Sequence, residues 1–169
     1  MSMTEHEIRL LLRVTAEISF VLFSVAFTAD ALLALWPTKL TNWLEHNRDR
    51  FFMGFVASHT VHLGAVIMLA YLGKVRMARV IPGGIAYLLI YALAAAAIVR
   101  LLGRKQLPFF GSPGFESFAM NTIWLVFASA FVPRIVKGWP IYSVLGVLAL
   151  AAMIVRLAGR TRATQSATV

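Results

Sequence analysis

The stretch Phe51–Gly73, FFMGFVASHTVHLGAVIMLAYLG, runs for 23 residues with side chains that are almost all apolar. About 20 apolar residues in a helix cross the roughly 30 Å of a bilayer's hydrocarbon, so its length predicts a transmembrane helix. Two imidazoles, His59 and His62, interrupt it. Ionisable groups are expensive at that depth and mark candidate sites, and imidazole is the commonest protein ligand for transition metals and heme iron.

The rest of the chain reads the same way. Of 169 residues, 60% are hydrophobic and 14% charged, and mean hydropathy is +0.79. Apolar runs at about 15–36, 51–73, 80–101, 117–133 and 139–157 predict five spans. Polar or basic separators divide them: Pro37–Asp49, Lys74–Arg79, Arg100–Gly114 and Arg134–Pro140. Every run is long enough for a helix and none alternates as a barrel strand does. We therefore expect an all-α integral membrane bundle forming a single transmembrane domain over 1–169.

The net charge of +9 comes from sixteen Lys and Arg that flank the spans, as expected of topogenic and headgroup-binding charge rather than a nucleic-acid surface. Five spans place seven of these cations on one side of the bilayer and nine on the other, which does not decide orientation. With no cysteine, disulfides, thiolate heme ligation and iron–sulfur clusters are excluded. Arg9 and Arg13 before an apolar run, and Ala29-Asp30-Ala31 as a small-x-small site, resemble part of a signal peptide. Glu5 and Glu7 disturb that leader, and the apolar run continues to Trp36, so we expect a retained first span.

Residues three apart on a helix face broadly the same way, so His59 and His62 can line one pocket but cannot both ligate one heme iron from opposite faces. Heme ligation is the favoured reading of the pair. Hydrogen bonding between helices and a non-heme metal or proton path remain open. Gly54 and Ser58 share the stripe of His62, where small side chains admit a neighbouring helix or a flat macrocycle. Arg48 and Arg50 flank the span as positive surface charge or as partners for heme propionates. Glu17 and Asp30, about 20 Å apart along the first span, read as interfacial carboxylates. Glu116 opens the fourth span as a helix N-terminal anion, and Trp36, Trp43, Trp124 and Trp139 read as interface anchors. A short echo, Ile98–Arg104 and Ile154–Arg160, ends the third and fifth spans. No phosphate-binding loop, nucleophile elbow, zinc-protease or dinucleotide motif is present, so any electrons arrive from a partner.

The pattern Arg48-x-Arg50-x-x-x-Gly54-x-x-Ala57-Ser58-His59-x-x-His62-Leu63 resembles the basic-flanked, His-bearing helix of the ferric reductase-like transmembrane family, and Ser19–Phe27 through Leu35-Trp36-Pro37 is similar to the helix before it. The resemblance implies a bundle in a bacterial inner membrane that binds heme b and passes electrons. It implies His62 as heme-iron ligand, His59 beside it, Arg48 and Arg50 on the propionates, and a partner subunit or homo-oligomer. The chain departs from the family in having no histidine after His62. Aligning the later helix on Trp124 puts Glu116 roughly where a further ligand is expected. The other class of function consistent with the sequence is a non-catalytic subunit packed into a larger membrane complex.

Overall fold

The computed structural model describes residues 4–74, 77–105, 107–136 and 140–166, with backbone alone at 77–82, 163 and 166. Lys137 and Trp139 lie outside the described residues. Among the described residues six helices occur in order: α1 (Glu5–Leu35), α2 (Lys39–His46), α3 (Arg48–Tyr71), α4 (Met77–Leu101), α5 (Pro113–Ile135) and α6 (Pro140–Ser166). All but α2 are long and apolar enough to cross a membrane, and no strand occurs among the described residues. The protein is an all-helical bundle of membrane-spanning character.

Boundaries differ from expectation where capping overrides hydropathy. Helix α1 starts ten residues before the expected 15 because Thr4 and Glu7 form a capping box: the Thr4 N–H donates to Glu7 at 2.7 Å and Thr4 Oγ1 accepts from the Glu7 N–H at 3.3 Å. It stops at Leu35, just before Trp36-Pro37, since a residue preceding proline is pushed out of helical geometry. The polar separator after it is not all loop. Thr38 caps the short surface helix α2, accepting from the Thr41 N–H at 3.2 Å. Glycines in the left-handed region, Gly73 (φ 68°) and Gly103 (φ 64°), follow the ends of α3 and α4, where an L side chain is disfavoured. Ser112 caps α5, with Pro113 in the first turn.

The five long helices close into a ring. Helix α1 packs on α3 and α6, α4 on α3 and α5, and α5 on α6. The interior is aromatic: Phe20 lies 5.2 and 5.0 Å from Phe127 and Phe131, and Phe23 lies 5.3 Å from Phe55. Lipid is as apolar as these side chains, so close packing rather than apolar burial holds spans together. Gly159 of α6 marks a close backbone approach: a β-carbon there would sit 2.6 Å from the Cα of Ala31 on α1. Ala29 and Ala31 are buried within continuous helix.

One tryptophan departs from the anchor role. Trp124 is turned into the bundle, donating from Nε1 to the Ala149 carbonyl of α6 at 2.9 Å and stacking on Phe27. Trp36 and Trp43 are exposed near the end of the bundle where α1 gives way to α2.

Candidate functional site

Two clusters of polar side chains stand out among the described residues of the bundle. The first is the histidine pair, midway along α3. His62 Nδ1 lies 3.1 Å from both Thr15 Oγ1 and the Leu12 carbonyl oxygen of α1. The Thr15 hydroxyl has one proton, committed to the Leu11 carbonyl at 2.7 Å, and a carbonyl only accepts. This network therefore assigns the His62 proton to Nδ1. In the neutral ring Nε2 keeps its lone pair, and it has no hydrogen-bond partner among the described residues.

His59 is stacked rather than hydrogen-bonded. Its ring lies 5.1 Å from His62 at an interplanar angle of 4°, and 4.8 Å from Tyr87 of α4. Phe55 and Phe127 close around it at 5.3 and 5.5 Å. Its Nδ1 is buried without a partner, while its backbone carbonyl accepts from the Tyr87 hydroxyl at 3.1 Å.

The small-residue stripe is filled by α1. A β-carbon on Gly54 would rest at ordinary contact distance, 3.5 Å, from Leu22. Ser58 accepts from the Ser19 hydroxyl at 3.0 Å and donates to the Thr15 carbonyl at 3.3 Å. These contacts and the His62–Thr15 pair form a polar seam between α1 and α3. They also place Glu17 at the depth of the histidines rather than at an open interface, with Oε1 buried and unpartnered. Helical spacing of seven puts Glu17, Ser24 and Ala31 on one stripe of α1, and Ala31 meets α6.

Arg48 and Arg50 are not brought to the histidines. Fourteen residues of helix, about 21 Å, separate Arg48 from His62. Arg48 donates from Nε to the Ala26 carbonyl at 3.2 Å and pairs with Glu116. Arg50 donates to the Asn47 side-chain oxygen at 2.6 Å.

The second polar region surrounds Arg48, at the end where α1, α4 and α6 finish and α3 and α5 begin. Arg100 grips Asp49 in a two-pronged contact, 2.8 and 2.7 Å, and reaches Glu116 at 3.3 Å. The pairs Arg100–Asp49, Arg100–Glu116 and Arg48–Glu116 tie α3, α4 and α5 together. Glu116 thus bridges two guanidiniums besides favouring the start of α5. Beside the network opens a cavity of about 540 Å³, also lined by Asp30, Glu45, Arg156 and Arg160. Arg100 and Arg156 occupy matching positions in the echoed segments and meet at this cavity. Each was legible as a basic span end, but the choice of partners arises between helices far apart in sequence.

Toward a heme, the described residues would offer at most one histidine ligand from α3, whose two histidines share one side of the helix. His62 offers Nε2 with Nδ1 held by a carbonyl, the usual support of a metal-ligating imidazole, but the adjoining stripe is occupied by α1. The described residues contain no group of three or more His, Cys, Asp or Glu able to hold a metal ion. Comparison with known protein families, curated proteins and solved structures finds no match to this chain.

Proposed function

We propose that this chain is a heme-associated electron-transfer subunit of a bacterial inner membrane, with His62 as the residue that would hold the iron of a b-type heme. The observation supporting it is the Nδ1–H of His62 held by the Leu12 carbonyl. That bond fixes the ring's orientation, makes it a better donor and leaves Nε2 for iron. Bound heme supplies reversible one-electron iron chemistry. Thr15 and Leu12 orient the ligand, His59 stacks on it, and Phe55, Phe127 and Tyr87 exclude water around the pair. The proposal rests on His62 without Arg48 and Arg50, whose guanidiniums are engaged about 21 Å away along α3. A partner subunit or second copy supplies any further ligand and the electrons.

Protein purified from heme-replete cells should show a Soret band and visible bands that change on reduction. His62→Ala should remove them while the protein still elutes as a folded species. An unchanged spectrum and heme stoichiometry in that variant would rule His62 out.

A second reading is favoured by the completeness of the α1–α3 seam. Ser58 and His62 Nδ1 are satisfied within the chain, and Gly54 is covered, so the seam is complete as a lock between two helices and needs no bound group to account for it. A colourless chain that co-purifies with a stable membrane complex would select this alternative.

A further inference from the structure

The four arginines lining the cavity are not equivalent. Arg48 and Arg100 have carboxylate partners at hydrogen-bond distance, on Asp49 and Glu116. Arg156 does not. Its side chain is only 5% exposed, and its closest carboxylate oxygen, on the half-exposed Asp30, is 3.8 Å away. One N–H donates to the Phe27 carbonyl at 2.6 Å, the guanidinium lies 4.3 Å over the Phe27 ring, and Nε is buried with no hydrogen-bond partner. A cation so buried without a close anion is costly, and such groups within spans mark sites.

Arg160, one turn further along α6, lines the same cavity and donates to the Ser117 hydroxyl, a neutral acceptor. The cavity also reaches Gly111 and Pro113 at the start of α5. The 23-residue helix that begins there directs the positive end of its dipole to this region. Two guanidiniums lacking close carboxylates beside a helix N-terminus match the oxygens of a phosphate, which arginine's planar fork binds in pairs.

We propose that the Arg156–Arg160 side of this cavity binds a phosphate group, that of a phospholipid headgroup or of a soluble phosphate compound. Asp30 and Glu45 also line this cavity and limit how much negative charge the site accepts. A phosphodiester with one negative charge is therefore preferred to an inorganic dianion. The cavity lies where five span ends meet, the level at which headgroups sit, so the lipid is the favoured source. The echoed segments acquire a division of labour: Arg100 holds helices together, and Arg156, which lines the cavity without a carboxylate at hydrogen-bond distance, is left for the ligand.

The test uses the full chain, stripped of lipid in a neutral detergent and titrated with short-chain phosphatidylglycerol or with inorganic phosphate, read by native mass spectrometry. One phosphatidylglycerol should bind per chain, and Arg160→Gln should weaken binding at least about tenfold with elution volume and helicity unchanged. Arg156→Lys, which keeps charge and loses the fork, should weaken it as well. Arg104→Gln alters an exposed cation on the same membrane face and should leave binding intact. Saturable binding of inorganic phosphate, sensitive to Arg160→Gln and without lipid binding, supports the site and assigns the soluble source. Binding of neither probe overturns the proposal. So does an Arg104→Gln defect equal to that of Arg160→Gln, because attraction is then diffuse surface charge.

Discussion

Replacing Gly159 by alanine tests the close backbone contact between α1 and α6. The added β-carbon would meet the Cα and Cβ of Ala31 at 2.6 Å and its carbonyl oxygen at 3.0 Å. The obstacle is backbone, so no rotamer change relieves it. Ordinary contact begins at 3.4 Å, which requires α1 and α6 to separate locally by about 0.8 Å. Overpacking of this kind costs about 1–3 kcal/mol, and the helical gain of alanine over glycine returns about 0.5–1 kcal/mol. The net loss spans about 0–2.5 kcal/mol, and contact with unyielding backbone places it at about 1–2 kcal/mol. At about 2–4 °C per kcal/mol for a chain of this length, a loss of about 1–2 kcal/mol should lower thermal unfolding in detergent by roughly 2–8 °C. The Arg156–Phe27 hydrogen bond, which joins the same two helices, should weaken with it. Gly64 is the control: it is helical, exposed, and a β-carbon there would meet nothing within 4 Å. Gly64→Ala should leave stability equal or raise it by up to about 1 kcal/mol. A Gly159→Ala protein that melts at or above wild type, or no lower than Gly64→Ala, would refute the close approach of α1 to α6.

Glu116→Gln keeps the shape of the bridge but leaves Arg48 and Arg100 to share Asp49's region without their common carboxylate. For a pair of intermediate exposure the expected loss is about 1–3 kcal/mol, and adding Arg48→Gln should recover part of it. Strict additivity of the two changes in a double-mutant cycle would mean the pair is uncoupled. Thr15→Val removes one acceptor of His62 Nδ1–H and should cost about 0.6–1.7 kcal/mol, the range for hydrogen bonds between spans. Because the Leu12 carbonyl remains, nitrogen-15 resonances of the imidazole should still report the Nδ1–H form. A switch to Nε2–H would show that Thr15, and not Leu12, sets the tautomer.

Part of the candidate site was legible because local spacing fixes it. His59 and His62, three apart, had to fall on neighbouring faces of one helix, and their rings do lie side by side. Gly54 and Ser58 were equally visible as a small-residue stripe, but whether a helix or a macrocycle fills such a stripe is settled by whatever lies opposite. Here Leu22, Thr15 and Ser19 of α1 lie opposite. Trp124 shows the same limit: tryptophan suits both a headgroup belt and a helix contact, and the Ala149 carbonyl on a neighbouring helix captured its N–H.

The sequence by itself determined that the chain is helical and that five helices are long and apolar enough to cross a membrane, because hydrocarbon forces a span to satisfy its own backbone hydrogen bonds along a contiguous apolar run. It also carried the signal for the long start of α1, in the Thr4–Glu7 capping pair, and for the helix ends at Gly73 and Gly103. Only the tertiary structure decided which charges meet. Asp49, Arg100 and Glu116 lie on three different helices, and the choice of one arginine as a structural tie and another as a guanidinium without a close carboxylate depends on ångström-scale distances across the bundle. A linear pattern contains no such distances, since every basic span end satisfies the same local rule.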